Sequence, residues 1–281
     1  MGRKDYRKWA LAIIKRAIVD YRMISDGDRI VVGMSGGKDS GVLLYALDAI
    51  RRTAPVKYEI YGVYLDLGFG MEYAPIEEYC RRLGVPFHHQ PTDIGQIVFD
   101  VRSEKNPCAL CSTLRRGAIN DLALRLGCNK VALGHHLDDV VDTFFMSLVY
   151  TGQLRTFSPN TFMDRTGLHM IRPLVYLGQE TVRELAALEK VPVIENPCPA
   201  SGITKREEIK KLVSGLSHQY PDLREKVLVA LQGADLKNLW PRALPRVPRT
   251  RKEKCGRQPE CAAVNAMWEE GSNPESRGGF S

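Results

Sequence analysis

"RIVVGMSGGKDSGVLLYALDAIRR", residues 29–52, changes its periodicity once. Up to Met34 it is a short β-branched run, which reads as a buried strand. Beyond Gly41 the apolar residues Leu43, Ala46, Leu47 and Ile50 recur at helical spacing. Between the two lies a glycine-rich turn, Ser35 to Ser40. Strand, turn and helix in that order are the opening of a βαβ unit.

The same rhythm continues along the chain. "YEIYGVYLDLG" (58–68) reads as a strand and "APIEEYCRRLG" (74–84) as a helix closed by Gly84. "VPFHHQPTDI" (85–94) is a strand running into a loop. "LRRGAINDLALRLG" (114–127) is a helix with Leu114, Ala118, Leu122 and Leu126 in register. "KVALGHH" (130–136) is a strand, and the helix after it carries the stripe Leu137, Val140, Val141, Phe144, Phe145 and Leu148. "HMIRPLVYL" (169–177) is a fifth strand and "GQETVRELAALEK" (178–190) a helix. The alternation predicts an α/β fold, a doubly wound parallel sheet over 25–202. An amphipathic helix over 1–24 precedes it, with Trp9, Ile13, Ala17 and Tyr21 on one face. A charged helical segment, 203–239, follows, and a basic tail over 240–281 reads as disordered. In such sheets ligands bind beyond the carboxyl ends of the strands, where both SGGKDS and GHHLDD fall.

The chain has 281 residues and a net charge of +7. That favours an anionic partner, whether nucleic acid, nucleotide or lipid headgroup; a solvated basic surface is the plainer reading. No apolar run approaches the roughly 20 residues of a membrane span. The early run "ALAII" is too short for a signal peptide, and Tyr6 breaks the myristoylation pattern. A cytoplasmic protein without membrane contact is expected.

The turn at 35–40 suits phosphate. Its glycines let the backbone approach an anion, the N–H groups at the helix start point toward it, and Lys38 adds charge. It is not the common P-loop, because Val32 and Asp39 stand where glycine and a hydroxyl residue would be required. The Asp39 carboxylate is itself a Mg²⁺ ligand candidate. In GHHLDD, Asp138 is a natural N-cap, and acids in a first helical turn suit the helix dipole. Alone, that motif is best explained as capping. Paired with SGGKDS, it offers carboxylates to the crevice in which the other motif offers anion donors.

Seven cysteines are present. Cys108 and Cys111 form a C-x-x-C ahead of a helix, where the helix N-terminus, Arg115 and Arg116 are expected to lower their pKa values. Two thiolates rarely complete a metal site, and Cys198 in "ENPCPASG" is the natural third ligand. Cys80 and Cys128 read as small core residues, Cys255 and Cys261 as uncommitted thiols, His88 and His89 as structural.

S-G-G-x-D-S after a first strand resembles the signature of the PP-loop ATP pyrophosphatases. "CALCSTLRRG", "ALGHHLDDVVDTFF" and "IRPL", in that order, resemble the tRNA 2-thiocytidine synthetases of the TtcA type, from about Asp20 to Lys211. The resemblance implies that ATP is cleaved between its α and β phosphates, with Met34, Ser35, Gly36, Gly37, Lys38, Asp39 and Ser40 around pyrophosphate. Gly134 and His135 would border the nucleotide, and the backbone of Leu65 and Asp66 the adenosine. Asp39 and Asp138 would serve Mg²⁺, with Asp139 beside them. Cys108, Cys111 and Cys198 would hold a [4Fe–4S] cluster with one iron open for sulfur. Lys38, Asp39, Asp138 and Arg115 would be catalytic. Arg115 would face the adenylated oxygen or, equally, grip a tRNA phosphate. The implied substrate is tRNA, at cytidine 32 of the anticodon loop, the sulfur donor one such as a cysteine desulfurase, and the assembly a homodimer. Some relatives have P-C-x-x-C where this chain has Cys198 and Ser201. Alternatives are synthesis of 2-thiouridine or lysidine, and a non-catalytic iron–sulfur or zinc sensor that binds nucleotide and RNA.

Overall fold

Ile30, Val31 and Val32 are all buried, as a strand covered on both faces requires. They belong to β1 (Asp28–Met34), which lies inside a six-stranded sheet of order β3-β2-β1-β4-β6-β5. The computed structural model of the chain describes residues 2–102, 107–194, 197–200 and 205–234. Contacts divide the chain into a unit Met1–Gly233 and a unit Ala234–Ser281. The tail expected over 240–281, with Cys255 and Cys261, lies outside the described residues, as does Ser201.

The elements run α1 (Arg3–Asp20), β1, α2 (Lys38–Arg51), β2 (Tyr58–Asp66), α3 (Ala74–Leu83), β3 (Phe87–Pro91) and α4 (Ile94–Gln96). After a π-helical turn at Ile97–Val101 come α5 (Pro107–Arg125), β4 (Lys130–Ala132), α6 (Leu137–Thr151), β5 (Asn160–Met163) and β6 (Leu168–Ile171). Helices α7 (Gln179–Leu188), α8 (Lys205–Gln219) and α9 (Leu223–Gln232) complete the described order. β1 pairs in parallel with β2 and β4, β2 with β3, and β4 with β6. The chain therefore leaves β1 toward β2 and β3, then returns to β4 on its other side. That reversal opens a crevice at the carboxyl ends of β1 and β4.

Side-chain alternation sends Ile30, Val32 and Ile60 into the large core with α1, α2, α3 and α7. Val31, Val63 and Val131 face α5 through Ile119, Leu122 and Ala123. α6 is shared: Val140 joins the large core, while Leu137 and Val141 pack on Ile209 and Val213 of α8. No helix among the described residues is long and apolar enough to cross a membrane.

Four expectations need correction. The sheet is not wholly parallel, because β5 pairs antiparallel with β6. The fifth strand stops at Ile171, since Pro173 has no N–H to continue the ladder. The buried face of α1 is Ala10, Ile14, Ala17 and Ile18, turned from the expected stripe; Trp9 is 44% exposed and lies against Tyr6 at the surface. The C-x-x-C does not precede its helix. α5 begins at Pro107, a residue suited to a first helical position, so both cysteines are helical.

The crevice depends on how closely α2 sits to its neighbours. A Cβ at Gly41 would overlap Cγ1 of Val191, beyond the end of α7. Glycine-to-alanine in a helix ordinarily gains about 0.5–1 kcal/mol, but overpacking costs about 1–3 kcal/mol. Gly41→Ala is expected to lower unfolding stability in urea by about 1–2 kcal/mol, and Val191→Ala in the same chain to recover most of it. A stabilised single variant would contradict this packing.

Candidate active site

The loop after β1 holds its own shape. The Ser35 N–H donates to Ser40 Oγ at 3.2 Å, the Ser40 hydroxyl to the Gly37 carbonyl at 2.9 Å, and the Gly37 N–H to Ser35 Oγ at 3.3 Å. Gly36 is left-handed, at φ +79, which favours glycine. α2 starts at Lys38 with no side-chain hydrogen bond from its N-cap, Gly37. The first-turn N–H groups of such a helix start are donors for an anion. Lys38 Nζ lies 2.8 Å from Asp39 Oδ1. Met34 is buried, so backbone is what it offers the loop.

GHHLDD abuts this loop. A Cβ at Gly134 would lie 2.9 Å from the Asp39 carbonyl carbon and oxygen and 3.0 Å from the Ser40 nitrogen. His136 Nε2 is 3.8 Å from Asp39 Oδ1 and 3.5 Å from Asp139 Oδ2, and the Asp139 carboxylate accepts the His136 N–H at 3.1 Å. The N-cap of α6 is thus His136, not Asp138. Asp138 Oδ2 accepts the Gln179 N–H at 2.7 Å, and Oδ1 lies 2.6 Å from Arg224 Nε. Asp138 thus ties the start of α6 to α7 and α9, and its carboxylate keeps further lone pairs. Asp139 Oδ1 accepts from Arg206 at 3.3 Å. Neither arginine carried a sequence signal; both are on charged surface helices.

At the end of β2, Asp66 is fully engaged. Its carbonyl accepts from the Thr92 N–H and hydroxyl, and its carboxylate from the Gly68 N–H at 2.9 Å, with His89 Nε2 at 3.3 Å. His89 also stacks on Tyr73, centroids 4.2 Å apart. Leu65 lies in the strand beside Gln90.

Cys108, Cys111 and Arg115 follow one another at i, i+3 and i+7, one face of α5. The Cys111 thiol is pushed up chiefly by burial, with Arg115 opposing and Cys198 and Cys108 adding to the rise. The other two thiols therefore both act electrostatically on Cys111, and burial outweighs the arginine there, against the lowered pKa expected. Cys198 is also tied to the phosphate loop. Four residues before it, the Ile194 N–H donates to the Gly36 carbonyl at 2.9 Å. Four residues span at most about 14 Å. Cys80 and Cys128 are buried core residues, as expected.

The PP-loop domain family model matches residues 11–216. The tRNA-cytidine(32) 2-sulfurtransferase of Geobacter sulfurreducens is 39% identical over 222 residues, 78% of this chain and 86% of that protein. Its counterpart in Syntrophotalea carbinolica is 39% identical over 228 residues, 80% and 88% of the two chains. The chain belongs to the tRNA-cytidine(32) 2-sulfurtransferase family. Among solved structures the fold matches the U34-tRNA thiolase NcsA from Methanococcus maripaludis, solved with its [4Fe–4S] cluster. The TM-score is 0.68 at 20% identity, covering 85% of this chain and 82% of that one.

In this PP-loop chain burial shifts two titratable groups on the β4 side of the crevice. Burial pushes the His135 imidazole down to about 4, with Arg172, Arg206 and His136 in the same direction and Asp139 opposing. His135 is neutral at neutral pH. Burial, then the Asp139 and Asp138 carboxylates, raise Asp142 from 3.8 to about 6, with Lys210 and Arg206 opposing.

Two expectations follow from this geometry. Backbone atoms face Gly134, so Gly134→Ala must displace the phosphate loop, and ATP affinity measured calorimetrically is expected to fall about tenfold or more. Unchanged ATP affinity would mean the abutment is not needed. For Asp142, the folded protein holds a proton that the unfolded chain releases between about pH 4 and 6. Stability is therefore lost as pH rises through that window. Asp142→Asn is expected to remove this loss and to gain about 1–2 kcal/mol at pH 8, read from urea melts at pH 4 and 8.

Proposed function

We propose that this protein is an ATP-dependent tRNA sulfurtransferase that converts cytidine 32 of the anticodon loop to 2-thiocytidine in the cytoplasm. The reading is supported above all by the tether between the Cys198 segment and the phosphate loop, Ile194 N–H to Gly36 carbonyl at 2.9 Å. It joins the thiol-bearing edge of the crevice to the part that binds ATP. A lysidine-forming ligase needs no cysteines, and a non-catalytic sensor needs no intact SGGKDS.

Oxygen leaves an amide-like ring carbon poorly, and attachment to AMP makes it a leaving group. The base's O2 attacks the α-phosphorus, the bond to the β-phosphate oxygen breaks, and pyrophosphate departs. The loop N–H groups of residues 35–40 and Lys38 stabilise the charge that develops on it. Asp39, beside Lys38, and Asp138, which also anchors α6, are the carboxylates proposed for Mg²⁺. Gly134 and His135 border the nucleotide on one side and the strand end at Leu65 and Asp66 on the other. Arg115, one turn after Cys111, balances charge at the adenylated oxygen. Sulfide-level sulfur then bonds to C2, and AMP leaves with the original oxygen.

The donor set at the third side fits an iron–sulfur cluster. Among the described residues no three His, Cys, Asp or Glu side chains are grouped to hold a single metal ion. Three thiols, two of them acting electrostatically on Cys111, suit a polynuclear group, whose irons take one thiolate each. Cys108, Cys111 and Cys198 would hold a [4Fe–4S] cluster, which supplies an iron without a protein ligand at which sulfur can be carried. The sulfur would come from a cysteine desulfurase or a similar donor, and a homodimer is the proposed assembly.

In a strain lacking this gene, tRNA nucleosides analysed by mass spectrometry are expected to lack 2-thiocytidine, and the wild-type gene to restore it. Cys198→Ala is expected to lose iron and thiolation together while binding ATP normally. Retention of both iron and 2-thiocytidine would exclude Cys198 as a ligand, and loss of 2-thiouridine instead would replace the proposed substrate.

A further inference from the structure

Residues 152–158, between α6 and β5, form no helix or strand, yet Phe157 among them is pinned from both sides. The Thr156 hydroxyl donates to the Val140 carbonyl of α6 at 3.0 Å. Arg172, just past β6, donates through its guanidinium to the Ser158 carbonyl at 2.6 Å and through its backbone N–H to the Pro159 carbonyl at 2.9 Å. The Arg172 guanidinium lies 4.8 Å from the centre of the Phe157 ring, within the range of cation–π attraction. The Phe157 ring centre is in turn 4.9 Å from that of His135, with the two planes 49° apart.

His135 directly follows Gly134, which abuts the backbone of Asp39 and Ser40 in the phosphate loop. An imidazole that meets a ligand through one ring nitrogen is ordinarily oriented by a hydrogen bond at the other. Here Nδ1 is buried with no partner among the described residues. No hydrogen bond at that nitrogen fixes the ring; the Phe157 ring lies against it instead. Burial of Nδ1 leaves Nε2 as the nitrogen that can meet a ligand. We propose that Phe157 is a positioning residue for the sulfurtransferase reaction: clamped by Thr156 and Arg172, its ring takes the place of that hydrogen bond and sets His135 so that Nε2 meets the bound nucleotide. The inference rests on the proposed function, in which His135 borders the nucleotide.

An aromatic contact orients the imidazole without adding charge. A carboxylate at Nδ1 would favour the imidazolium, whereas a ring keeps water away. Burial accordingly holds His135 down at about 4; Arg172, Arg206 and His136 act in the same direction and Asp139 opposes them. The neutral ring can donate or accept at Nε2 according to its tautomer, which suits a ribose hydroxyl or an adenine nitrogen.

The test uses the full chain, ATP and tRNA. Phe157 is half-buried and lines a cavity of about 600 Å³, so Phe157→Leu and Phe157→Tyr both have room to fold. Phe157→Leu is expected to weaken ATP binding, read by calorimetry, and to raise KM for ATP about tenfold, with kcat changed by less than about twofold. Phe157→Tyr keeps the ring and is expected to restore both. In ¹⁵N-edited NMR spectra the His135 midpoint is expected to rise from about 4 toward 6.5 in the Leu variant and to return in the Tyr variant. His135→Gln combined with Phe157→Leu is expected to bind ATP no more weakly than His135→Gln alone. A further loss in the double variant would mean that Phe157 does not act through His135, and would overturn the proposal. So would an unchanged ATP affinity and an unchanged His135 midpoint in Phe157→Leu. In the wild-type protein, ATP is expected to shift the His135 Nε2 resonance, and no shift would overturn the proposal even if a variant failed to fold. If wild-type protein shows that shift but thiolates no tRNA, the proposed function fails while the positioning of His135 toward ATP stands.

Discussion

Nothing larger than hydrogen fits between Gly134 and the backbone of Asp39 and Ser40. This contact joins the loops that leave β1 and β4, the two strands on either side of the topological switch. It is made of main-chain atoms, so no rotamer change can relax it. Because the loops touch there, Asp39 comes within reach of His136, and His136 in turn positions Asp139. Gly36 ties the same loop to Ile194 on its other side. The chain ends of β1, β4 and the Cys198 segment are thereby held as one surface.

The outer helices complete that surface. α8 and α9 bury few residues against the sheet; their own core is shared with α6. What they send inward is charge. Arg206 reaches Asp139 and Arg224 reaches Asp138, so each aspartate of GHHLDD is met from outside by an arginine. The C-terminal helical segment is therefore connected to the chemistry even though its residues line no strand end.

Much of this was legible from residues 29–52 outward, because buried parallel strands are apolar runs and the helices between them keep a 3.6-residue period. The phosphate loop and Gly134 were legible for the same reason: their residue types have few uses at a strand end. β5 was not, since four residues with a polar start make no periodic signal and the pairing is supplied by β6. The α1 stripe was misassigned because Trp9 is apolar in composition but sits at the surface, while Ala10, too small to score strongly, faces the core. The anchoring of Asp138 was not legible because its partners, Gln179 and Arg224, are 41 and more residues away in the chain.

The distribution of charge resolves an apparent conflict in the motifs. A crevice that accepts a triphosphate and RNA ought not to be lined with bare aspartates. Two unit charges 4 Å apart interact by about 4 kcal/mol at an effective dielectric of 20, so two unpaired carboxylates would oppose binding strongly. Here Lys38 accompanies Asp39, Arg206 accompanies Asp139 and Arg224 accompanies Asp138. Asp142, farther along α6, is instead raised to about 6, chiefly by burial. Three acids at the crevice are thus each accompanied by a cation. The acidic motif then works as scaffolding for the loop, joining it to α7, α8 and α9 through Gln179, Arg206 and Arg224.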